Sequence, residues 1–436
     1  MYFSLRYLCV TRFRFIKQIT APPFTAKNIT PKSNRMRLLL LVCFTTSLVM
    51  VKAQTAPTAN ANEANYKRSS LYTIMIDQGE LPNSDIIKDV FFSTPIPDKF
   101  NDHNLKMRVF NITSKNKDLP IHIANCFNKY NVARKLVAKW FNRSEKGGFN
   151  MKLIQERGNY NATEMDAGIA KSSKRGMAIL ADAGEELIGN TFILVTAYTY
   201  TDKAEIAKKV NQSLGGLTQF ASQYVHVDIS ATTNVAANTS TTMGVGYVVK
   251  ATSYLYQLVW NDSVAAVFYN NYWTEDANLD PAKKEAFDNS DIFTLKYIGT
   301  DVAMADVQSA TFLHTPFKDL LTSAERNSLH KVIAKLQKNH EVFRTKTPLY
   351  SVDPLTAKIG LKEGLKGGDK YEVLEQVQDN DGRTQYKKVG TIKVDKKQIW
   401  NNEYSVADQI ADTTGANRTF FDGHGKFYPG MLIKQE

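Results

Sequence analysis

The chain's stock of metal ligands and nucleophiles is small and scattered. Its seven histidines are His103, His122, His226, His314, His330, His340 and His424. None forms an HxH or HxxxH pair, and no CxxC occurs, so no local ligand set is laid out for zinc. Phosphate-cradling GxxxxGK[ST] and GxGxxG loops are absent, as is a GxSxG nucleophile elbow. Gly244-Val245-Gly246 is a lone GxG and reads as loop. Ser114–Lys117 and Ser328–Lys331 match S-x-x-K without companion motifs, which is the level of chance. Asp379-Asn380-Asp381-Gly382 starts like a calcium loop. Its twelfth position is Gly390 where a carboxylate is required, so a tight turn is expected instead. No metal and no cofactor is expected.

Two groups of side chains hold more promise. Glu185-Glu186 is the most suggestive acidic pair, but neighbouring loop residues point apart. A retaining glycosidase needs two carboxylates roughly 5 Å apart across a cleft. A hydrolase would have to draw acids from distant positions such as Glu164, Asp182 and Glu185. The second group is aromatic. Tyr254, Tyr256, Leu258 and Trp260 share one face of a strand by period two, and Tyr269, Asn271 and Trp273 share one face of the next run. Joined through Asn261-Asp262-Ser263, residues 247–273 read as an aromatic hairpin. Tyr254, Tyr256, Trp260, Tyr269 and Trp273 are its candidate contacts for sugar rings or a protein partner.

Charge narrows the partner classes. The formal net charge is +12, yet nine of the 55 basic residues lie in 1–53, where there is no Asp or Glu. The remainder holds 46 basic against 43 acidic residues, a net of +3, which gives little reason to expect nucleic acid. Lys362, Lys366, Lys370, Lys387, Lys388, Lys396 and Lys397 form a local basic patch that could meet anionic glycan or membrane headgroups. Glycans and a peripheral membrane surface are therefore partners to consider.

The leader has a readable order. Met36-Arg37 precedes the apolar run Leu38–Val51, and Val51-Lys52-Ala53 ends it in small residues. This is the pattern of a secretory signal peptide over 36–53, cleaved after Ala53, and the run is short for a bilayer-spanning helix. Residues 1–35 read as an upstream extension, with Met36 as the expected start. The expected location is exported: periplasmic, outer-membrane-associated or secreted. After Ala53 one cysteine remains, Cys126, so no disulfide can form within the mature chain. Cys126 reads as a small buried hydrophobe.

These residues must be positioned by elements that can be read from periodicity. Residues 54–65 form a polar spacer. Met107–Ile112 alternates as a strand. One amphipathic helix is expected over Ile121–Asn142, with Ile123, Phe127, Tyr130, Leu136, Val137 and Trp140 on its stripe. Phe149–Arg157 reads as a strand. The capping box Asn161–Glu164 opens a helix to Ala183, and Thr191–Tyr198 is a buried strand. A helix fits 202–222, and a polar loop fits 231–246. Strands are expected over Tyr247–Trp260, Val264–Trp273 and Ile292–Ile298, and a capped helix from Thr322-Ser323-Ala324-Glu325. After residue 340 the strands become short: Tyr371–Val377, Tyr386–Val394 and Thr419–Ile433 with breaks. That spacing fits a small β-barrel.

Placed in this order, residues 149–200 with Arg157, Gly189-Asn190 and Phe192–Val195 resemble the core of the curli secretion-channel lipoprotein family and its soluble envelope relatives. The pair Tyr247–Trp273 sits where that family has its long strands. Ile359–Leu365 with Gly368–Val373 resembles an SH3-like barrel, a module comparable to those of the flagellar assembly T-type proteins. Phe427–Ile433 is similar to the ending of uncharacterised secreted envelope proteins of Gram-negative anaerobes. The resemblance spans about 149–433 and implies an α+β fold: an α/β sheet-and-helix domain over 66–340, then an SH3-like barrel over 341–436. Gln54 stands where the channel family has its lipidated Cys, so channel function is not implied. A non-catalytic envelope protein with an assembly or binding role is.

Overall fold

In a computed structural model of the chain, the structure describes residues 67–77, 84–112, 118–160, 187–202, 246–308, 316–378, 384–403 and 417–436. They belong to one compact unit, residues 61–436. Several expectations lie outside the described residues: the leader 1–35, the signal peptide 36–53, the spacer 54–65 and Ser114–Lys117. So do the capping box Asn161–Glu164 and its helix, Glu185-Glu186, the helix over most of 202–222, the loop 231–245 and the turn Asp379–Gly382.

The fold is mixed α+β with two sheets. The first uses β1 (Ser69–Asp77), β2 (Phe100–Asp102), β3 (Val109–Asn111), β4 (Thr191–Asp202), β5 (Gly246–Leu258) and β6 (Leu295–Gln308). Its order is β2-β1-β4-β5-β6, with β3 also on β1. β1 pairs in parallel with β2, β3 and β4, whereas β4–β5 and β5–β6 are antiparallel. β1 was not anticipated from sequence. Its run SSLYTIMID is buried on both faces, so it lacks the alternation that marks a half-exposed strand.

Side-chain alternation divides the core in two. Tyr72, Ile74, Ile76, Ile193, Val195, Tyr254, Tyr256 and Leu258 face one side. There they meet α2 (Leu119–Lys129), α3 (Val132–Trp140) and α4 (Lys152–Tyr160). Leu71, Met75, Phe192, Leu194, Val249 and Leu255 face the other side. They pack against α1 (Ser84–Ser93) and a long helix, Phe317–Asn339, whose Leu321, Ala324, Leu329, Val332, Ile333 and Leu336 recur at helical spacing. Phe343 completes that core, stacked on Phe100 at 5.3 Å, so the sheet's packing reaches past residue 340.

Four expectations are corrected. The single helix over 121–142 is two, broken at Asn131, whose φ of 50° is left-handed. The strand over 149–157 is α4; a short apolar run without strict alternation is ambiguous between the two states. The strand over 264–273 is α5 (Asp262–Val267) continuing into a π-helical turn, Phe268–Tyr272. Asn261 is not a hairpin residue but the N-cap, its side chain accepting from the Val264 amide at 3.0 Å. The partners of β5 are therefore β4 and β6. Finally, Thr322 and Ser323 do not cap the long helix. It starts at Phe317, and their hydroxyls donate back to the carbonyls of Lys318 and Asp319.

The second sheet is a closed barrel of β7 (Thr347–Val352), β8 (Leu355–Ala357), β9 (Lys370–Gln378), β10 (Thr384–Val394), β11 (Thr419–Asp422) and β12 (Leu432–Gln435). Going round, the order is β10-β11-β8-β7-β12-β9. Leu349, Ile359, Val373, Ile392, Phe421 and Ile433 fill it. Short strands that no single hairpin could stabilise are held by closure.

Candidate functional site

The five aromatic candidates separate into two environments. Tyr254 and Tyr256 on β5 are buried at 7% and 4% exposure, and Tyr256 meets Phe127 edge-on at 4.8 Å. They are core residues and cannot form a contact surface. Trp260, Tyr269 and Trp273 remain half-exposed. They are not on paired strands, because residues 264–273 are helical.

What gathers these three is the π-helical turn. Widening the helix by one residue per turn changes which side chains stack. Phe268 goes fully inward and stacks on Phe141 at 4.3 Å. Around Phe141 stand Trp260 at 5.6 Å, Tyr269 at 5.8 Å and Trp273 at 5.8 Å. Tyr269 and Trp273 are 5.6 Å apart. Trp273 also stacks on buried Phe149 at 6.0 Å. The Tyr269 hydroxyl reaches the Met151 sulfur of the segment before α4 at 3.8 Å. The result is a shelf of three partly exposed rings on a rigid aromatic floor, with exposed Asn270 and Asn271 beside it. Such a shelf offers stacking area at low entropic cost, since its rings are already held.

Two polar nodes lie elsewhere. His103 is buried and stacked on Trp140 at 4.8 Å. Its Nε2 lies 3.1 Å from the Leu136 carbonyl, and its Nδ1 faces the Arg157 guanidinium at 3.1 Å. The first must therefore carry the proton and donate to the carbonyl, and the second accepts a hydrogen bond from the guanidinium. Burial, then the neighbouring Arg157 charge, holds its pKa well below the usual histidine range. Arg157 also donates to Ser70 Oγ and to the Asp102 carbonyl and lies over the Trp140 ring at 4.5 Å. Burial lowers its pKa to about 10. A histidine locked neutral between a tryptophan and an arginine joins β1, β2, α3 and α4; it is a structural clamp. Cys126 is half-buried with its thiol pKa raised by burial, in keeping with an inert packing residue.

The second node is Glu325, fully buried on the long helix, with its Oε2 accepting from the Tyr200 hydroxyl at 3.2 Å. Burial pushes its pKa up to about 8. Sequence reading placed this residue in a capping box and missed it as a buried acid. The signal was available: it falls one turn from Leu321 and Leu329, on the apolar stripe.

Of the basic patch, Lys362 reaches Asp98 at 3.3 Å and Lys388 reaches Glu436 at 2.8 Å and Glu372 at 3.1 Å. Lys366, Lys370, Lys387, Lys396 and Lys397 are exposed around the barrel. Among the described residues no group of three or more His, Cys, Asp or Glu could hold a metal, and no helix is long and apolar enough to cross a membrane. No family model matches the chain, and no curated protein matches it.

Proposed function

We propose that the chain is an exported cell-envelope protein that acts by binding, in an assembly or recognition role, rather than by catalysis. The observation that carries the binding reading is the shelf of Trp260, Tyr269 and Trp273 on the Phe141–Phe268 floor. Export rests on the order of the leader: basic start at Met36-Arg37, apolar run, small-residue exit at Ala53. The closed barrel of short strands and the sheet flanked by helices agree with, at a coarser level, the likeness to SH3-like barrels and to the curli secretion-channel core, and both likenesses stay part of this proposal. Envelope proteins or glycans are the partner classes, with peripheral membrane contact through the exposed lysines of the barrel.

Two measurements test it. N-terminal sequencing of the protein from fractionated cells should find a chain beginning at Gln54 outside the cytosol; a cytosolic chain with residues 1–35 intact would sink the export reading. Trp260→Ala and Trp273→Ala should each weaken pull-down of envelope components, or retention on a glycan array, at least tenfold. Unchanged binding with an unchanged fold would remove the shelf from function. The acids of a glycan- or peptide-directed hydrolase, Glu164, Asp182 and Glu185, lie outside the described residues.

A further inference from the structure

We propose that Glu325 is a proton-operated latch: protonated, it lets the first half of the long helix Phe317–Asn339, here α7, seat on the sheet, and ionised it loosens that half. The proposal goes beyond the binding reading and does not depend on it.

Its basis is where the carboxyl sits and what surrounds it. Glu325 has no exposed surface, and its Oε1 has no hydrogen-bond partner. From β4, Tyr200 donates to Oε2, and the neighbouring Tyr198 hydroxyl is buried without a partner of its own. Hydroxyls along α7 are committed elsewhere: Ser323 to the Asp319 carbonyl and Ser328 to the Glu325 carbonyl. Among the described residues no cation forms an ion pair with it. Arg326, next on the same helix, attracts it weakly and reaches the Ser93 carbonyl at the end of α1. On α1, Lys88 is turned to Asp77 at 2.6 Å. Arg108, near Tyr198, donates to Thr73 and lies over Phe91. Tyr198 and Tyr200 stay neutral, since burial raises both well above the usual tyrosine range.

A buried carboxylate with one hydroxyl partner and, among the described residues, only a weak pull from Arg326 is costly, so the neutral acid is the form that packs. The folded pKa of about 8 lies above the ordinary 4.5. An acid with a raised folded pKa stabilises packing fully below its unfolded pKa, and that contribution is lost as pH rises through the folded value. Opening the first half of α7 restores Glu325 to water and to its ordinary pKa. Opening is therefore rarest in mild acid, grows from about pH 5 to about pH 8, and then levels off. Because α7 packs on β5 and β6, the latch acts on the sheet's helical cover.

The test is amide hydrogen exchange on the full chain, with each rate divided by its unprotected rate. Residues 320–329 should open more often as pH rises, by up to about tenfold per unit between pH 5 and pH 8. Glu325→Gln keeps the shape without the charge and should make that profile flat. The same slope in the variant would overturn the latch. Infrared spectroscopy gives an independent reading on the unaltered protein. A protonated-carboxyl band should persist at neutral pH, where exposed carboxylates are ionised, and vanish above about pH 8. Its absence at neutral pH would also overturn the proposal.

Discussion

His103 and Glu325 are single residues whose burial sets opposite pH limits. His103 holds a depressed folded pKa, so the unfolded chain takes up a proton first as pH falls below about 6.5, and stability declines on that side. Each such group changes stability by at most about 1.4 kcal/mol per pH unit. His103→Gln should lower the melting temperature at neutral pH by loss of the Trp140 stack, yet flatten the decline between pH 7 and pH 5. Melting curves at several pH values read both effects; an unchanged acid limb would show that another group sets it. Arg157 is harder to replace. Its guanidinium serves Ser70, His103 and the Asp102 carbonyl together, and Arg157→Met should cost about 1–3 kcal/mol by leaving those groups unpaired, measured by denaturant unfolding.

Elements in this protein are set by their ends as much as by their faces. Asn261 caps α5, and the turn that follows carries Tyr269 and Trp273. Asn261→Ala should cost about 1 kcal/mol and, by fraying α5, weaken shelf-dependent binding along with stability. Asp280 caps α6 (Pro281–Asp288) by accepting from the amides of Ala282 and Lys283, and Asp280→Ala should cost a similar amount. Asn131 is a different case. Its left-handed backbone separates α2 from α3, so Asn131→Val should destabilise by about 1–2 kcal/mol while Asn131→Gly is nearly neutral. Equal effects of the two would mean that the break is not conformational.

At the scale of the whole molecule, the barrel and the helical cover of the sheet are bonded together. Arg344 donates to the carbonyls of Gln337 and Lys338 at the end of α7 and to the Gln435 carbonyl of β12. Lys434 of β12 reaches Glu341 at 3.0 Å. Gly364 (φ 77°), in a left-handed turn, lies so close to α7 that a Cβ added to it would come within 2.9 Å of the Ala334 Cβ. Arg344→Ala should therefore split calorimetric unfolding into two transitions, one for the barrel and one for the sheet. A single transition at lower temperature would show that the remaining links, Lys434–Glu341 among them, suffice to couple the two.

The sequence by itself determined the low net charge of the body, the basic leader, and the elements with a one-sided apolar period: β9, β10 and much of α7. These are legible because a half-buried element writes its period into the chain. β1 and β4 are both buried on two faces, and only β4 is dense enough in β-branched residues to read as a strand; α4 and α5 differ from the strands expected there because short apolar runs carry no decisive period. Only the tertiary structure decided the site. It buried Tyr254 and Tyr256, gathered Trp260, Tyr269 and Trp273 around Phe141, and left Glu325 Oε1 without a hydrogen-bond partner. Each of these depends on which residues, far apart in the chain, come to enclose a side chain. No local spacing encodes that.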